Sequence, residues 1–62
     1  MPRDGAITRT SIMDSAQQLI LNQGFSATSV DSVIEKTGIT KGAFYYHFDT
    51  KAELALALVA RY

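Results

Sequence analysis

Apolar side chains recur at helical spacing along the first third of the chain. The positions at i, i+4, i+7 and i+8, which share one face of a helix, are Ile12, Ala16, Leu19 and Ile20. This periodicity predicts a first helix from about Arg9 to Gln23, started by Thr8 or Thr10, because a hydroxyl there accepts an unpaired backbone N–H. Gly24 fits the left-handed residue that ends a helix, and Phe25 is expected to turn back into the core.

A second and shorter helix is predicted to open at Thr28. Its hydroxyl can accept a free backbone N–H, and Asp31 three residues later completes a weak capping box. The buried face is expected to consist of Val30, Val33 and Ile34. A helix of about nine residues needs tertiary packing to persist, and Gly38 follows it as a terminator.

A tight turn, Gly38-Ile39-Thr40, separates the second helix from a third, predicted over about 41–48. Ile39 is the apolar plug of this turn, and Thr40 caps the new helix. The side chains expected to face inward are Ala43, Phe44 and Phe48. Those expected to face mostly outward are Lys41, Gly42, Tyr45, Tyr46 and His47.

A full capping box, with Thr50 as the hydroxyl and Glu53 at the third helical position, starts a fourth helix. One of its faces is expected to carry Leu54 and Leu58, with Arg61 and Tyr62 at its end. The four segments predict an all-α fold: a small, homeodomain-like bundle of three to four helices with a helix-turn-helix. We expect this domain to span 9–62, behind a flexible N-terminal arm at 1–8.

Composition limits the size and location of the protein. A chain of 62 residues forms one domain at most and is marginally stable on its own. It contains no cysteine, which rules out disulfides and fits a reducing compartment. The longest apolar run, Leu54 to Ala60, is too short to span a membrane, and the polar N-terminus lacks a signal-peptide core. We therefore expect a cytoplasmic protein without membrane contact.

The charge balance is uninformative overall and informative locally. Six basic and six acidic residues cancel, whereas nucleic-acid-binding domains usually carry a positive excess. Between Lys36 and Lys51, however, three lysines stand against one aspartate, a net charge of plus two, with His47 besides. The acidic residues expected to lie mainly on other faces or near helix starts are Asp14, Asp31, Glu35 and Glu53.

The two short helices around the tight turn have the spacing of a helix-turn-helix, whose second helix presents its N-terminal side chains to a DNA major groove. These side chains, three of them small enough to permit deep entry, are Thr40, Lys41, Gly42 and Ala43. Lys41 is long enough to reach a base edge or a phosphate. The hydroxyls of Tyr45 and Tyr46 suit phosphate oxygens. Lys51 lies in the first turn of the fourth helix, where free N–H groups and the helix dipole favour an anion.

Three segments of the chain form a specific signature. They are Gly24-Phe25-Ser26-Ala27-Thr28-Ser29-Val30, then Thr37-Gly38-Ile39-Thr40-Lys41-Gly42-Ala43-Phe44-Tyr45-Tyr46-His47-Phe48, then Lys51 with Glu53-Leu54. This pattern closely resembles the N-terminal signature of the TetR/AcrR family of bacterial repressors, from about Arg9 to Leu58. The resemblance implies a homodimer that binds a palindromic double-stranded operator. It also implies a small-molecule inducer, bound by a helical C-terminal domain that we expect to lie outside this chain.

The resemblance also implies a role for each matching position. Positions that correspond to Thr40, Lys41, Gly42 and Ala43 face bases and the nearby backbone in family members. Positions that correspond to Tyr45, Tyr46, His47 and Lys51 mostly bind phosphates. Those that correspond to Thr28 and Ser29 approach the DNA backbone at the start of the second helix. Arg3 and Arg9 are candidates for an additional arm contact.

Each candidate residue also has a purely structural interpretation. Tyr45 and Tyr46 are also candidates for packing, although adjacent aromatic residues on a helix cannot both face one core. His47 is equally consistent with helix packing, and a lone lysine in a first helical turn is usually solvated. Gly42 costs about 1 kcal/mol in a helix relative to Ala, which a close approach of the backbone to DNA would explain.

Two other functions are compatible with the residues alone. One is a helical protein-interaction module that does not touch DNA, suggested by the zero net charge, with the Tyr45-Tyr46 pair as its anchor. The other is a different DNA-binding helix-turn-helix, of the kind found in homeodomain-like recombinases. We expect no enzyme, metal or cofactor, because the sequence shows no nucleophile elbow, no paired carboxylates at a cleft and no Gly-rich phosphate loop.

Overall fold

The chain folds into four helices joined by short turns. The computed structural model describes residues 4–61, with side chains from 6 to 61. The helices are α1 (Asp4–Gln23), α2 (Val30–Thr37), α3 (Lys41–His47) and α4 (Lys51–Ala60). Within 4–61 there is no strand, which confirms the predicted all-α class. α1 packs against α2 and α4, and α2 packs against α3.

Every helix contributes to one apolar core. Its largest fully buried side chains are Phe44 of α3, Ile12 of α1 and Val33 of α2. The other buried apolar members are Met13, Ala16, Phe48, Leu54 and Leu58. Leu19, Ile20, Val30, Ile34 and Ile39 are partly buried against this cluster. The predicted inward faces are therefore confirmed, and Met13 is an addition that the periodicity did not indicate.

The start of α1 differs from the prediction. The helix begins at Asp4 rather than Arg9, so Thr8 and Thr10 lie inside it and do not cap it. The apolar stripe begins only at Ile12, and no apolar side chain between residues 6 and 11 is buried, so periodicity could not locate the start of the helix. Residues 4–8, assigned to an arm in the sequence, are helical. Arg3 and Tyr62 lie outside the described residues.

The turn after α1 confirms one expectation and corrects another. Gly24 adopts the left-handed conformation at φ 91°, and its N–H donates to the Ile20 carbonyl. Phe25, expected in the core, is instead 45% exposed. The inward position belongs to Thr28, which is 2% exposed and whose hydroxyl donates to the Gly24 carbonyl at 2.8 Å. A turn this short directs one of these side chains inward, and the smaller one occupies that place.

The N-cap of α2 is Ser29, one residue later than predicted. The Ser29 hydroxyl accepts from the Ser32 N–H, and the Ser32 hydroxyl accepts from the Ser29 N–H, which forms a reciprocal capping box. Asp31 takes no part in it. Thr28 cannot cap the helix because its hydroxyl is turned inward to Gly24. Helix-starting hydroxyls at adjacent positions made the register ambiguous in the sequence.

The remaining turns form as the sequence predicts. Gly38 is left-handed at φ 79° and closes α2 by donating its N–H to the Ile34 carbonyl. Thr40 caps α3 by accepting from the Ala43 N–H at 3.1 Å. Thr50 caps α4 by accepting from the Glu53 N–H at 3.1 Å, which is one half of the predicted capping box. α3 ends at His47, one residue before the predicted end, with Phe48 as its extended C-cap.

Arg61 anchors the end of α4 to α1. The sequence placed Arg61 at the end of the inward face of this helix, and its guanidinium donates to Asp14 Oδ1 at 2.7 Å and to Gln17 Oε1 at 2.8 Å. The residues involved are 44 and 47 positions apart in sequence, a separation that no local pattern reveals. α4 is therefore held at its start by a cap, along its length by the core, and at its end by this ion pair.

Replacing Thr28 with Val keeps the shape of the side chain and removes the hydroxyl. We expect the free energy of unfolding to fall by about 1 kcal/mol, the usual net value of one internal hydrogen bond. In a domain of this size that corresponds to a melting temperature lower by roughly 4–8 °C, measured by circular dichroism. Ser26→Ala, in the exposed part of the same turn, is the control and should leave the melting temperature unchanged. Equal melting of wild type and Thr28→Val would contradict the assignment.

Candidate nucleic-acid interface

α3 has a sharply divided surface. At 3.6 residues per turn, Lys41, Gly42, Tyr45 and Tyr46 fall within a sector of about 140°. These four residues are exposed, whereas Phe44, outside this sector, and Phe48, the C-cap residue that follows the helix, are buried. The division follows the prediction for all of them. A seven-residue helix thus has one side fixed in the core and the other free for a ligand.

The N-terminal end of α3 is small and positive. Thr40 and Gly42 are exposed, and Ala43 is half-buried. No acidic residue lies in the first turn of α3, so Lys41 adds its charge to the positive end of the helix dipole. The Thr40 hydroxyl accepts from Ala43 and keeps its own proton free to donate. These features suit an anionic partner approaching along the helix axis.

Gly42 is not required by the fold. A Cβ at this position would meet no atom within 4 Å, and the backbone lies in the ordinary helical region. The protein therefore leaves open space where almost any other residue would place a side chain. Space of this kind is useful to a ligand that approaches the α3 backbone closely.

The adjacent tyrosines differ in how far they are exposed. Tyr46 is 83% exposed, while Tyr45 is 43% exposed and sets its ring edge-on to Phe44 at 5.2 Å. The expectation that both rings cannot enter the core is confirmed. His47 is half-buried, edge-on to Tyr46 at 5.0 Å, so it packs beside the exposed tyrosine while keeping part of its ring accessible.

Lys51 makes a contact that the sequence did not indicate. Its Nζ lies 4.2 Å from the centroid of the Phe25 ring, a cation–π geometry. Lys51 is the first residue of α4, where the helix dipole disfavours a cation, and the ring offsets that effect. Phe25 is thus a residue of the candidate site that sequence reasoning placed in the core instead. The two residues belong to different segments, and only the folded chain brings them together.

Asp31 lies near the start of α2, as expected, and beside Lys41 of α3. Its Oδ1 is 3.9 Å from Lys41 Nζ, and the side chains are 83% and 69% exposed, respectively. Asp31 is in the first turn of α2, where a carboxylate is favoured by the helix dipole. The sequence showed this acid near a helix start but not the neighbour it would have.

The other predicted site residues make contacts within the protein. Thr28 is buried, and its hydroxyl is committed to Gly24, so its side chain is not available to a ligand. Ser29 is exposed while capping α2. Arg9 belongs to α1, with its guanidinium 5.2 Å from the Phe48 ring centroid and Nη1 3.4 Å from Met13 Sδ. Arg9 is therefore held against the end of α3 rather than on a free arm.

Two further properties bear on the class of protein. No helix in the described part of the chain has the length and apolar character needed to cross a membrane. Between residues 4 and 61, no group of three or more His, Cys, Asp or Glu side chains is placed to hold a metal ion.

One known protein family matches most of the chain. The family described as "Bacterial regulatory proteins, tetR family" matches residues 12–58, which include all of α2 and α3 and most of α1 and α4. The chain belongs to this family. The expectation drawn from the signature residues is confirmed, and the Gly38-Ile39-Thr40 turn with α2 and α3 is its helix-turn-helix. Members of this class of transcriptional regulator bind DNA.

Individual relatives agree with the family match. HTH-type transcriptional regulator SrpR of Pseudomonas putida is 40% identical over 53 residues, 86% of this chain and 25% of that protein. HTH-type transcriptional regulator TtgR, also of Pseudomonas putida, is 38% identical over 52 residues, which are 84% of this chain and 25% of that protein. HTH-type transcriptional regulator AcrR of Shigella flexneri is 43% identical over 47 residues, which are 76% of this chain and 22% of that protein. The chain thus spans about a quarter of the length of these curated relatives. No solved structure gave a significant match.

The Lys51–Phe25 contact has a direct spectroscopic consequence. A proton held over an aromatic ring is shielded by the ring current, so the Lys51 ε-methylene protons should resonate upfield of those of Lys36, which is exposed on α2. Phe25→Leu should return the Lys51 resonances to the Lys36 position, and Phe25→Tyr should preserve the shift. Proton NMR of the free protein measures this. Lys51 resonances at the Lys36 position in the wild type would show that the contact does not persist in solution.

Proposed function

We propose that this chain is the operator-reading head of a ligand-responsive transcriptional repressor and that α3 enters the DNA major groove. The observation that supports this most strongly is the exposed sector of α3. It carries Lys41, Gly42, Tyr45 and Tyr46. Phe44 within α3 and Phe48 at its C-cap are both buried in the core, so the sector keeps a constant orientation. A helix held in this way can present its N-terminal side chains to base edges in the major groove.

The proposal divides the site by role. Lys41, with Thr40, Gly42 and Ala43 around it, faces base edges and the nearby backbone. Phosphate contacts come from Tyr45, Tyr46, His47 and Lys51, because hydroxyls, a ring N–H and an ammonium all donate to phosphate oxygens. The exposed Ser29 approaches the DNA backbone at the start of α2. Thr28 serves the site by fixing the turn before Ser29 rather than by touching DNA.

The whole protein is proposed to act as a homodimer. A two-fold dimer pairs two such heads with the two halves of a palindromic operator, and half-site spacing then follows from the distance between the heads. The matched segment is about a quarter of the length of each of these relatives, which leaves room in them for a dimerising, inducer-binding domain. We further propose that the protein works in the cytoplasm at operator sites and catalyses no reaction.

A protein-interaction module is the second candidate function. The exposed ring of Tyr46 and the zero net charge of the chain favour it. It requires DNA affinity at background level and little dependence on salt, which is the opposite of what phosphate contacts produce.

Selection from a randomised duplex pool separates the two candidates. The chain is bound to the pool, the retained duplexes are sequenced, and the preferred duplex is titrated at several salt concentrations. We expect a defined half-site and a log affinity that falls linearly with log salt. If the single head retains no motif, two heads fused to an unrelated dimeriser repeat the selection. A second failure would reject DNA reading in favour of the protein-interaction module.

Replacing Lys51 with Ala and replacing Lys41 with Ala should affect DNA binding in different ways. Lys51→Ala removes a phosphate contact, so affinity should fall by a similar factor for all duplexes, and the salt slope should decrease by about 1. Lys41→Ala should also change the preferred bases, because Lys41 is proposed to face them. Lys36→Ala, exposed at the end of α2, is the control with the same charge change. An unchanged affinity of Lys51→Ala for every duplex would remove Lys51 from the site.

Gly42→Ala should move stability and binding in opposite directions. The free energy of unfolding should rise by up to about 1 kcal/mol, because Ala favours helix and its Cβ meets no neighbour. Affinity for the selected duplex should fall by roughly tenfold, or about 1.4 kcal/mol, because the methyl group occupies the space reserved for DNA. Thermal melting and titration of the same sample measure both. Tight binding by a stabilised Gly42→Ala variant would show that DNA does not approach the α3 backbone there.

A further inference from the structure

Lys41 has an acidic neighbour at the place where the chain is proposed to meet DNA. Asp31 Oδ1 lies 3.9 Å from Lys41 Nζ, and this carboxylate comes from the first turn of α2 rather than from α3 itself. The dipole of α2 favours a carboxylate at this position. Its place beside Lys41 also has a consequence for DNA binding, because it changes the charge and the freedom of that lysine.

The ammonium group of Lys41 can serve two partners at once. It carries three N–H donors, and one directed to Asp31 leaves two for a base edge. A lysine side chain on its own has many rotamers and loses their entropy when it binds. A carboxylate that holds the ammonium on one side reduces that loss. Both side chains of the pair are largely exposed, so the two remaining N–H donors of Lys41 are accessible to a ligand.

The same carboxylate weakens contacts that are not specific. Binding to arbitrary DNA depends on cations that replace condensed counterions at phosphates. A lysine beside Asp31 contributes less to that exchange, because the carboxylate offsets part of its charge. A base-edge contact depends instead on the direction of the N–H donors, which Asp31 helps to fix. One ion pair can thus lower non-specific affinity while supporting base recognition.

We propose that Asp31 is a positioning residue for DNA specificity and that it acts through Lys41. The proposal rests on the DNA-binding function proposed above. Asp31 holds the Lys41 ammonium toward the base edges and offsets part of its charge toward arbitrary phosphates. It therefore raises the ratio of specific to non-specific affinity without contacting a base itself.

The test replaces Asp31 with Asn, which removes the charge and nearly preserves the shape. Affinity for non-specific duplex should rise by about two- to fivefold, the range expected for one exposed ion pair. Its salt slope should steepen by up to about 0.9, the increment for one additional cation. Affinity for the selected duplex should not rise by as much, so the specificity ratio falls. Selection with Asp31→Asn should give a weaker base preference at the position of the motif that Lys41 determines. A change in protein stability alone would not weaken the preference at one position.

Two further variants isolate the mechanism. Glu35→Gln removes an exposed acid from the same helix, and Glu35 makes no ion pair within residues 6–61, so it should leave the specificity ratio unchanged. In the Lys41→Ala background, Asp31→Asn should no longer change the ratio or the base preference. Thermal melting of all variants confirms that the compared proteins are folded.

The outcomes distinguish this inference from the function on which it rests. If the wild-type chain binds no duplex above background, even when dimerised, both are overturned. If the wild type selects a motif and Asp31→Asn keeps the same specificity ratio, only the role of Asp31 is overturned. If Asp31→Asn changes the ratio equally with and without Lys41, Asp31 acts as a general repulsive charge, and the proposed action through Lys41 is wrong.

Discussion

The burial of Phe44 determines whether α3 exists as a helix. A helix of seven residues has too few internal hydrogen bonds to offset the cost of its first turn and does not persist alone in water. Phe44 is fully buried in the core with Ile12 and Val33, one residue each from α3, α1 and α2. The surface proposed to read DNA is therefore a by-product of packing on its opposite side. Anything that loosens the core around Phe44 removes the binding surface along with it.

The N-caps determine where α2, α3 and α4 begin. Ser29, Thr40 and Thr50 each accept a backbone N–H three residues ahead, and Gly38 turns the chain between α2 and α3. These are short-range bonds, formed within a few residues. They set the ends of α2, α3 and α4, while the core sets how the helices cross. Together, the caps and the core hold α3 in a fixed orientation in a chain that has no cysteine for a disulfide.

Features encoded within one turn of the chain were predictable from the sequence. The left-handed glycines, the Thr40 and Thr50 caps and the buried faces are of this kind, because a hydroxyl or a glycine acts on its immediate neighbours. The register error at Thr28 and Ser29 arose where two hydroxyls competed and tertiary packing selected between them. The start of α1 was missed because its first turns bury no apolar stripe to mark them.

Features that join distant segments were not predictable. The contact of Lys51 with Phe25, of Asp31 with Lys41 and of Arg61 with Asp14 each joins two separate helices or a helix and a turn. The residue types of the candidate site could be recognised from one helix and its motif. The charged and aromatic neighbours that orient those residues are known only from the fold, because exposed side chains leave no periodic signal.

The position of the tyrosines gives the protein an optical property. The chain contains no tryptophan and three tyrosines, so tyrosine alone determines its near-ultraviolet emission. Two of the three, Tyr45 and Tyr46, lie on the outward side of α3, where Tyr46 is almost fully solvated. The intrinsic fluorescence of the protein therefore originates largely from the surface where a partner would bind. The chain contains its own label at that surface, and no dye has to be attached to follow what binds there.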